Sequence, residues 1–468
     1  DIMEEATEIC KLRLFLKLVS LVEAHDKIEP LPDIDFNIRA GNTLVGFATE
    51  AQLSSALGSR LEFDNTVAEV KERAEVAELA YERFRQLQVQ HGASSDEIGS
   101  AKAHVQERLV HLRKELDSYL SGDYGVRPND KAAFRRWEDS HKPFHWFAEF
   151  FGSMKQGGFA VVIGNPPYKE LRDVTQYSIR GLSTVDTKNL YAPMLQRWLQ
   201  LCSSFGRVGA IVPVSSISTE GYSSLQEIEF RLPMHVSSFD DRPSRLFDGL
   251  EHIRHSIHLV RNNQNAKSEM YTTECLRWSS DERPNLFSRI QYQNVEPSYL
   301  PGSAPKLSRV GEASILQKVW SDNKAVALQQ SRYGEHIVYY SRKMASFLQV
   351  LDFVPKVFDG KGKLRPPSEF KELRFPSHAE ASIAFCVLNS TLFRWFINVF
   401  SDFRHLNKRE VEGFHCDLNR TYGENPGFWN HISDALSKRL QETSEMRRMN
   451  FKHDTLRVQC IIPKHAKD

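Results

Sequence analysis

No Cys-x-x-Cys pair occurs in these 468 residues; the six cysteines, Cys10, Cys202, Cys275, Cys386, Cys416 and Cys460, stand far apart. That scatter excludes a zinc knuckle and offers no disulfide framework, so the thiols read as reduced and structural. No run of eighteen apolar residues appears, and the opening DIMEEATEICKLRLFLKLV is acidic and amphipathic where a secretory leader is basic. A cytoplasmic protein without membrane contact is the expectation. The absence of a Walker loop removes ATP use from the expected activities. His141 and His145 are four apart, but Pro143 between them breaks the helix that would align them on a metal. Pro32-Asp33 and Glu69-Val70-Lys71 spell a nuclease-like PD...E-x-K, yet the second half falls in a helical pattern where a strand is needed. No metal is therefore expected.

What is present is core material and an uneven charge. Hydrophobic residues make up 41% and aromatics 11%, as in a soluble globular protein of two or three domains. The net charge of +1 hides an asymmetry: from residue 301 onward there are 26 Lys+Arg against 18 Asp+Glu, leaving 35 against 42 before it. A basic C-terminal part favours an anionic partner, although a solvated basic face has the same composition.

Apolar Ile9, Leu12, Phe15, Leu16, Val19 and Val22 recur near helical spacing and predict a first helix with one buried face. Ile34, Phe36 and Ile38 alternate before Gly41-Asn42, predicting a short strand that opens into a loop. From Val67 to Leu120 the chain is rich in Glu, Arg, Lys, Ala and Leu and free of proline. HGASSDE interrupts it, and Ser94 followed by Glu97 marks a capping box, so a helical hairpin is predicted over about 64–120. Next come an apolar strand, GGFAVVIG, an amphipathic helix, NLYAPMLQRWLQLCSSF, and a second strand, GRVGAIVPVS. That order is a βαβ crossover and implies a parallel sheet. Short strands around HVSSFDD and HSIHLVR flank the loop RPSRLFDGLEH; LNSTLFRWFINVF has the spacing of a core helix. The alternation ends near Pro301, which sets expected domains at 1–300 and 301–468.

The strand GGFAVVIG ends in Asn165-Pro166-Pro167-Tyr168. An isolated Asn-Pro turn can simply end a strand. Here, however, the tetrapeptide falls at the carboxyl end of a parallel strand, where ligands bind in open α/β sheets. The amide oxygen of Asn165 and the carbonyl of Pro166 are two acceptors that converge on one point, and Pro167 stiffens the turn. Two acceptors suit an amino group with two N–H donors, and Tyr168 offers a flat face to a ring beside it. Accepting both protons lets the nitrogen become tetrahedral and aim its lone pair at an electrophile.

FAVVIGNPPY resembles motif IV of the amino-group methyltransferases that use S-adenosylmethionine, in the form typical of adenine-N6 DNA methylases. Glutamine methylases of release factors and some guanine-N2 RNA methylases share that motif. DIMEEATEICKLRL resembles the motif II region and IRAGNTLVG motif III. With SHKPFHWFAEF, NLY, GRVGAIVP, SRLFDG and LNSTLFRWF in that order, nearly the whole chain outside the hairpin resembles the large methylases of type IIG restriction enzymes and of the BREX and DISARM phage-defence systems. The implied fold is α/β: a Rossmann-like class I methyltransferase fold, truncated at its N-terminus, with the hairpin as an insertion and a C-terminal α+β target-recognition domain.

The resemblance implies site roles as well. Asn165 and Pro166 hold the target amine. Tyr168 and, in RLFDG, Phe247 stack on an adenine flipped out of double-stranded DNA. Asp1 and Asn42, with Asn165, hold S-adenosylmethionine. Arg242, Arg245, Arg332, Arg342, Lys343, Lys361, Lys363 and Arg365 are candidates for phosphate contact. Two features depart from the pattern: Ala160 stands where an acidic residue is usual, and no glycine-rich motif I precedes Asp1. The expectation is therefore a fragment or a split enzyme, completed by an N-terminal segment or a partner subunit that carries motif I and a nuclease or translocase. A DNA-recognition module of a defence complex, without catalysis, is the alternative.

Overall fold

The computed structural model describes residues 2–21, 34–58, 63–90, 93–321, 324–342, 348–367, 370–450 and 455–461. The chain divides into two compact units, the first made of residues 1–212, 227–234 and 258–268 and the second of the remainder. Residues 213–226, 235–257 and 269–300 group with the C-terminal region in the second unit.

In the first unit, α1 (Glu4–Ser20) forms as its periodicity predicts, but its apolar face is not buried: Thr7 is its buried residue, while Leu12 and Leu16 are 57% and 56% exposed. Helices α2 (Glu50–Leu57), α3 (Phe63–Val89) and α4 (Ser95–Leu120) follow. The capping box closes as expected: the Glu97 amide donates to Ser94 Oγ (3.2 Å) and the Ser94 amide to Glu97 Oε2 (2.9 Å). Val70 and Ala74 early in α3 pack with Leu112 and Leu116 late in α4, and Phe84 packs with Val105, so the pair is an antiparallel hairpin. The predicted strand at Ile34–Ile38 is instead a turn, in which the Asn37 and Ile38 amides donate to the Ile34 carbonyl. Phe36 is drawn into the hairpin core against Tyr81 and Phe84, with ring centroids 5.5 and 5.4 Å away, and this fixes the segment away from any sheet.

Helices α5 (Lys131–His141), α6 (Trp146–Glu149) and α7 (Phe151–Lys155) lead into strand β1 (Phe159–Gly164). The chain around Phe144 runs beside residues 42–47; the Phe144 amide donates to the Val45 carbonyl (2.7 Å), and Gly46, at φ +138°, makes the approach possible. Helix α8 (Tyr191–Leu201) carries the expected crossover from β1 to the parallel strand β2 (Cys202–Pro213). It buries Tyr191, Leu195, Trp198 and Leu199. The Trp198 ring lies so close to Gly164 that a Cβ there would sit 2.8 Å from it.

Strands β3 (Met234–Phe239), β4 (His255–Arg261), β5 (Met270–Leu276) and β6 (Gln293–Val295) complete a six-stranded sheet of order β1-β2-β4-β3-β5-β6. β1 is thus an edge strand, and its Val161 and Ile163 are 63% and 79% exposed. The second unit contains a three-stranded sheet, β11-β7-β8, built from β7 (His336–Ser341), β8 (Val350–Leu351) and β11 (Phe370–Phe375). A four-stranded sheet, β10-β9-β13-β12, is built from β9 (Val357–Phe358), β10 (Leu364–Arg365), β12 (Ser444–Asn450) and β13 (Thr455–Ile461). Thr391–Phe400 is the expected core helix, with Phe393, Phe396 and Phe400 fully buried and Ser390 as its N-cap. Among the described residues no single helix is long and apolar enough to cross a membrane.

Candidate active site at the end of strand β1

Asn165 to Tyr168 emerge from the carboxyl end of β1, as expected. Asn165 and Pro167 are exposed, Pro166 is buried and Tyr168 is half-buried. The residues that follow are strapped to the segment before α8: the Leu171 amide donates to the Lys188 carbonyl (2.9 Å) and the Leu190 amide to the Lys169 carbonyl (2.8 Å). These two bonds hold the turn. The Tyr168 ring meets Tyr191 edge-on, with centroids 6.2 Å apart, and its hydroxyl stands 2.9 Å from both Asn165 Oδ1 and the Ile211 carbonyl oxygen at the end of β2. Burial pushes the phenol up to about 12, so it stays protonated at neutral pH.

Asn42 sits elsewhere in the first unit and is 4% exposed; its Oδ1 accepts the Leu44 amide (3.1 Å) and its backbone N–H donates to the Lys142 carbonyl. Its Nδ2 is buried without a hydrogen-bond partner. A buried amide donor left unmatched costs about 1–3 kcal/mol, and an acceptor such as a ring nitrogen of a bound donor molecule would satisfy it. To that extent Asn42 fits S-adenosylmethionine. Asp1 lies outside the described residues, and no glycine-rich donor-binding turn occurs among the residues that are described. His145 is not poised for a metal: its Nδ1 accepts the Phe47 amide (3.2 Å), which leaves Nε2 as the donor to Asp117 Oδ1 (3.0 Å). Glu69 and Lys71 lie on helix α3.

In the second unit, Phe247 is half-buried, edge-on to His255 at 5.2 Å and packed against the cluster of Phe239, Leu246, Leu276, Trp278 and Leu286. Arg242 and Arg245 rim an open cavity of about 460 Å³. Arg245 pairs with Glu251 (3.2 Å), and Arg242 donates to His252 Nδ1 (3.4 Å). Lys361 and Lys363 are exposed on the tight β9–β10 loop, where Asp359 Oδ1 accepts both their amides at 2.9 Å. Arg365 is 3.6 Å from Asp359. Arg332 lies over the exposed Tyr333 ring, Arg342 is exposed, and Lys343 lies outside the described residues.

Sequence reading missed a basic pair in the same sheet. Arg448 of β12 lies directly opposite Arg457 of β13, and Arg457 opposite Phe358 of β9; both arginines are exposed. Like charges directly opposite are unfavourable in a sheet, and an anion between them would relieve that repulsion. The strand alternation in SEMRRMN and TLRVQCI was a usable signal, but the register that sets the two side by side was not. A cavity of about 880 Å³ in the first unit has a mixed lining, with Glu75, Glu78 and Glu82 beside Arg39, Arg85 and Lys155 and the rings of Phe36, Tyr81 and Phe150.

Residues 1–239 match the profile of the family described as Eco57I restriction-modification methylase. A Methanocaldococcus jannaschii protein, named as a candidate type II restriction enzyme and methyltransferase, is 27% identical over 268 residues, covering 48% of this chain and 22% of its own length. The chain thus spans about a fifth of that curated relative. Among solved structures, a nuclease-deletion mutant of the Type ISP restriction-modification enzyme LlaGI with a DNA substrate mimic aligns at TM-score 0.29 and 13% identity. That alignment covers 48% of this chain and 26% of the other. The M protein of the Type I restriction enzyme EcoKI aligns at TM-score 0.24 and 10% identity, over 70% and 67%.

Proposed function

The chain belongs to the Eco57I restriction-modification methylase family, and from that premise we propose that it transfers a methyl group to the N6 amine of adenine in double-stranded DNA. One observation carries the reading: an exposed asparagine stands at the carboxyl end of a parallel strand, on a turn held by a buried proline and two strapping hydrogen bonds. Asn165 Oδ1 and the Pro166 carbonyl accept the two amine protons, and Tyr168 stacks on the extruded base. S-adenosylmethionine, when bound, supplies the electrophilic methyl group, and Asn42 offers its unmatched amide donor to that molecule.

The glycine-rich wall for the donor's charged end comes, in this reading, from a further segment or a partner subunit. Exposed Val161, Ile163 and Leu259, and the open apolar face of α1, are surfaces suited to receive it. Lys361, Lys363 and Arg365, with Arg332 and Arg342, neutralise DNA phosphates.

Plasmid DNA incubated with radiolabelled S-adenosylmethionine and the fully assembled protein tests the proposal. Label should appear as N6-methyladenine, and Asn165→Ala should abolish it with DNA affinity held within about twofold. Incorporation that survives Asn165→Ala, or label found on protein or RNA and not on DNA, refutes the reading.

A further inference from the structure

The Tyr168 hydroxyl has two oxygen neighbours at equal range: Asn165 Oδ1 and the Ile211 carbonyl oxygen, both at 2.9 Å. A phenol carries one proton and can donate it fully to one of them. The other contact would then bring two oxygens to 2.9 Å with no proton between them, which is repulsive. The two acceptors differ in one respect. Ile211 belongs to β2, where its carbonyl is fixed by the backbone. The Asn165 amide is at the exposed end of a side chain, and a half turn exchanges its oxygen for its nitrogen.

We propose that Tyr168 donates to the Ile211 carbonyl and accepts from Asn165 Nδ2, so that the hydroxyl turns the Asn165 oxygen outward with both lone pairs open to the target amine. The chain Asn165 N–H to Tyr168 O–H to Ile211 O=C then contains one proton per contact. Without it the exposed amide presents a donor to the incoming amine as readily as an acceptor, and a donor facing an N–H is repulsive. Tyr168 acts here as a positioning residue through its hydroxyl, separately from any stacking by its ring. The strapping of residues 169–171 to residues 188–190 keeps the phenol where it can do so. This inference rests on the proposed amine-binding role of Asn165.

Tyr168→Phe separates the two functions, because it keeps the ring and removes only the oxygen. In protein labelled with ¹⁵N at asparagine, the Asn165 side-chain signal is identified by its loss in Asn165→Ala. In the wild type, one Nδ2 proton should be shifted downfield and exchange about tenfold slower than its partner. Tyr168→Phe should return both to the values of a free amide. In the assembled enzyme, the same variant should lower kcat for methyl transfer about tenfold, the scale of one hydrogen bond, with KM for DNA within twofold. An Asn165 signal unchanged by Tyr168→Phe, or an unchanged kcat, overturns the proposal. If the wild type transfers no methyl group, the functional reading falls, and the amide signal still decides whether the hydroxyl orients Asn165.

Discussion

Lys306 in the second unit is 2% exposed, and its ammonium donates to Ser218 Oγ at 3.0 Å while lying 5.4 Å from the Phe403 ring centre. Burial pushes its pKa from the ordinary 10.5 down to about 7; Arg409 adds to the fall, and Cys275, Asp402 and Glu410 oppose it. Between pH 7 and 10.5 the unfolded chain therefore holds a proton that the folded chain has released, and stability rises with pH across that window. At about 1.4 kcal/mol per pH unit, the gap between about 7 and 10.5 sets a ceiling of about 5 kcal/mol. Between pH 7 and pH 9 that slope allows at most about 2–3 kcal/mol, and relaxation around the charge lowers it, so we expect about 1–2 kcal/mol over that interval. Lys306→Met keeps the aliphatic volume and removes the titration. Its loss of the Ser218 bond costs about 1 kcal/mol, which leaves the variant about 1–3 kcal/mol more stable than the wild type at pH 7. Urea unfolding of both proteins, followed by tryptophan fluorescence at pH 6, 7, 8 and 9, measures the effect. A wild-type midpoint that is flat or falls above pH 7, or a variant with the same slope as the wild type, refutes the reasoning.

Three further perturbations test other parts of the fold. Glu149 is 5% exposed and bound by Arg39 and Arg113; burial alone raises its pKa, but the two guanidiniums outweigh this and hold it below the usual carboxylate range. Glu149→Gln should leave two guanidiniums without their counter-charge and cost about 3 kcal/mol in thermal or urea unfolding. Gly46→Ala would place a methyl group inside the van der Waals shell of the Phe144 carbonyl at a positive φ. It should lower Tm by several degrees, or about 2 kcal/mol, where Gly99→Ala, with open space around it, should not. Arg448→Gln and Arg457→Gln should each reduce the slope of log DNA affinity against log salt by about 1 if those arginines meet phosphates. An unchanged slope assigns them to guarding the sheet edge instead.

The motif at 165–168 was legible because its information is local. Prolines fix φ and remove donors wherever they stand, so a strand that runs into Asn-Pro-Pro must end there. The same holds for the Ser94–Glu97 capping box and for the amphipathic α8 between two apolar strands. Ile34–Ile38 alternates as a strand should, yet a strand exists only through bonds to a neighbour. Phe36 found its burial against Tyr81 and Phe84 in the hairpin.

Sequence by itself determined the α/β alternation, the rigid asparagine turn at a strand's end and the basic C-terminal third, since each follows from spacing, covalent constraint or composition. Tertiary structure alone decided what those parts touch. It brought Ile211 to the hydroxyl of Tyr168, Ser218 to the ammonium of Lys306 and Arg457 to a place across from Arg448. Contacts between residues distant in sequence arise only when the backbone closes on itself, because sheet register and the burial of charge are properties of the packed chain and of no single segment.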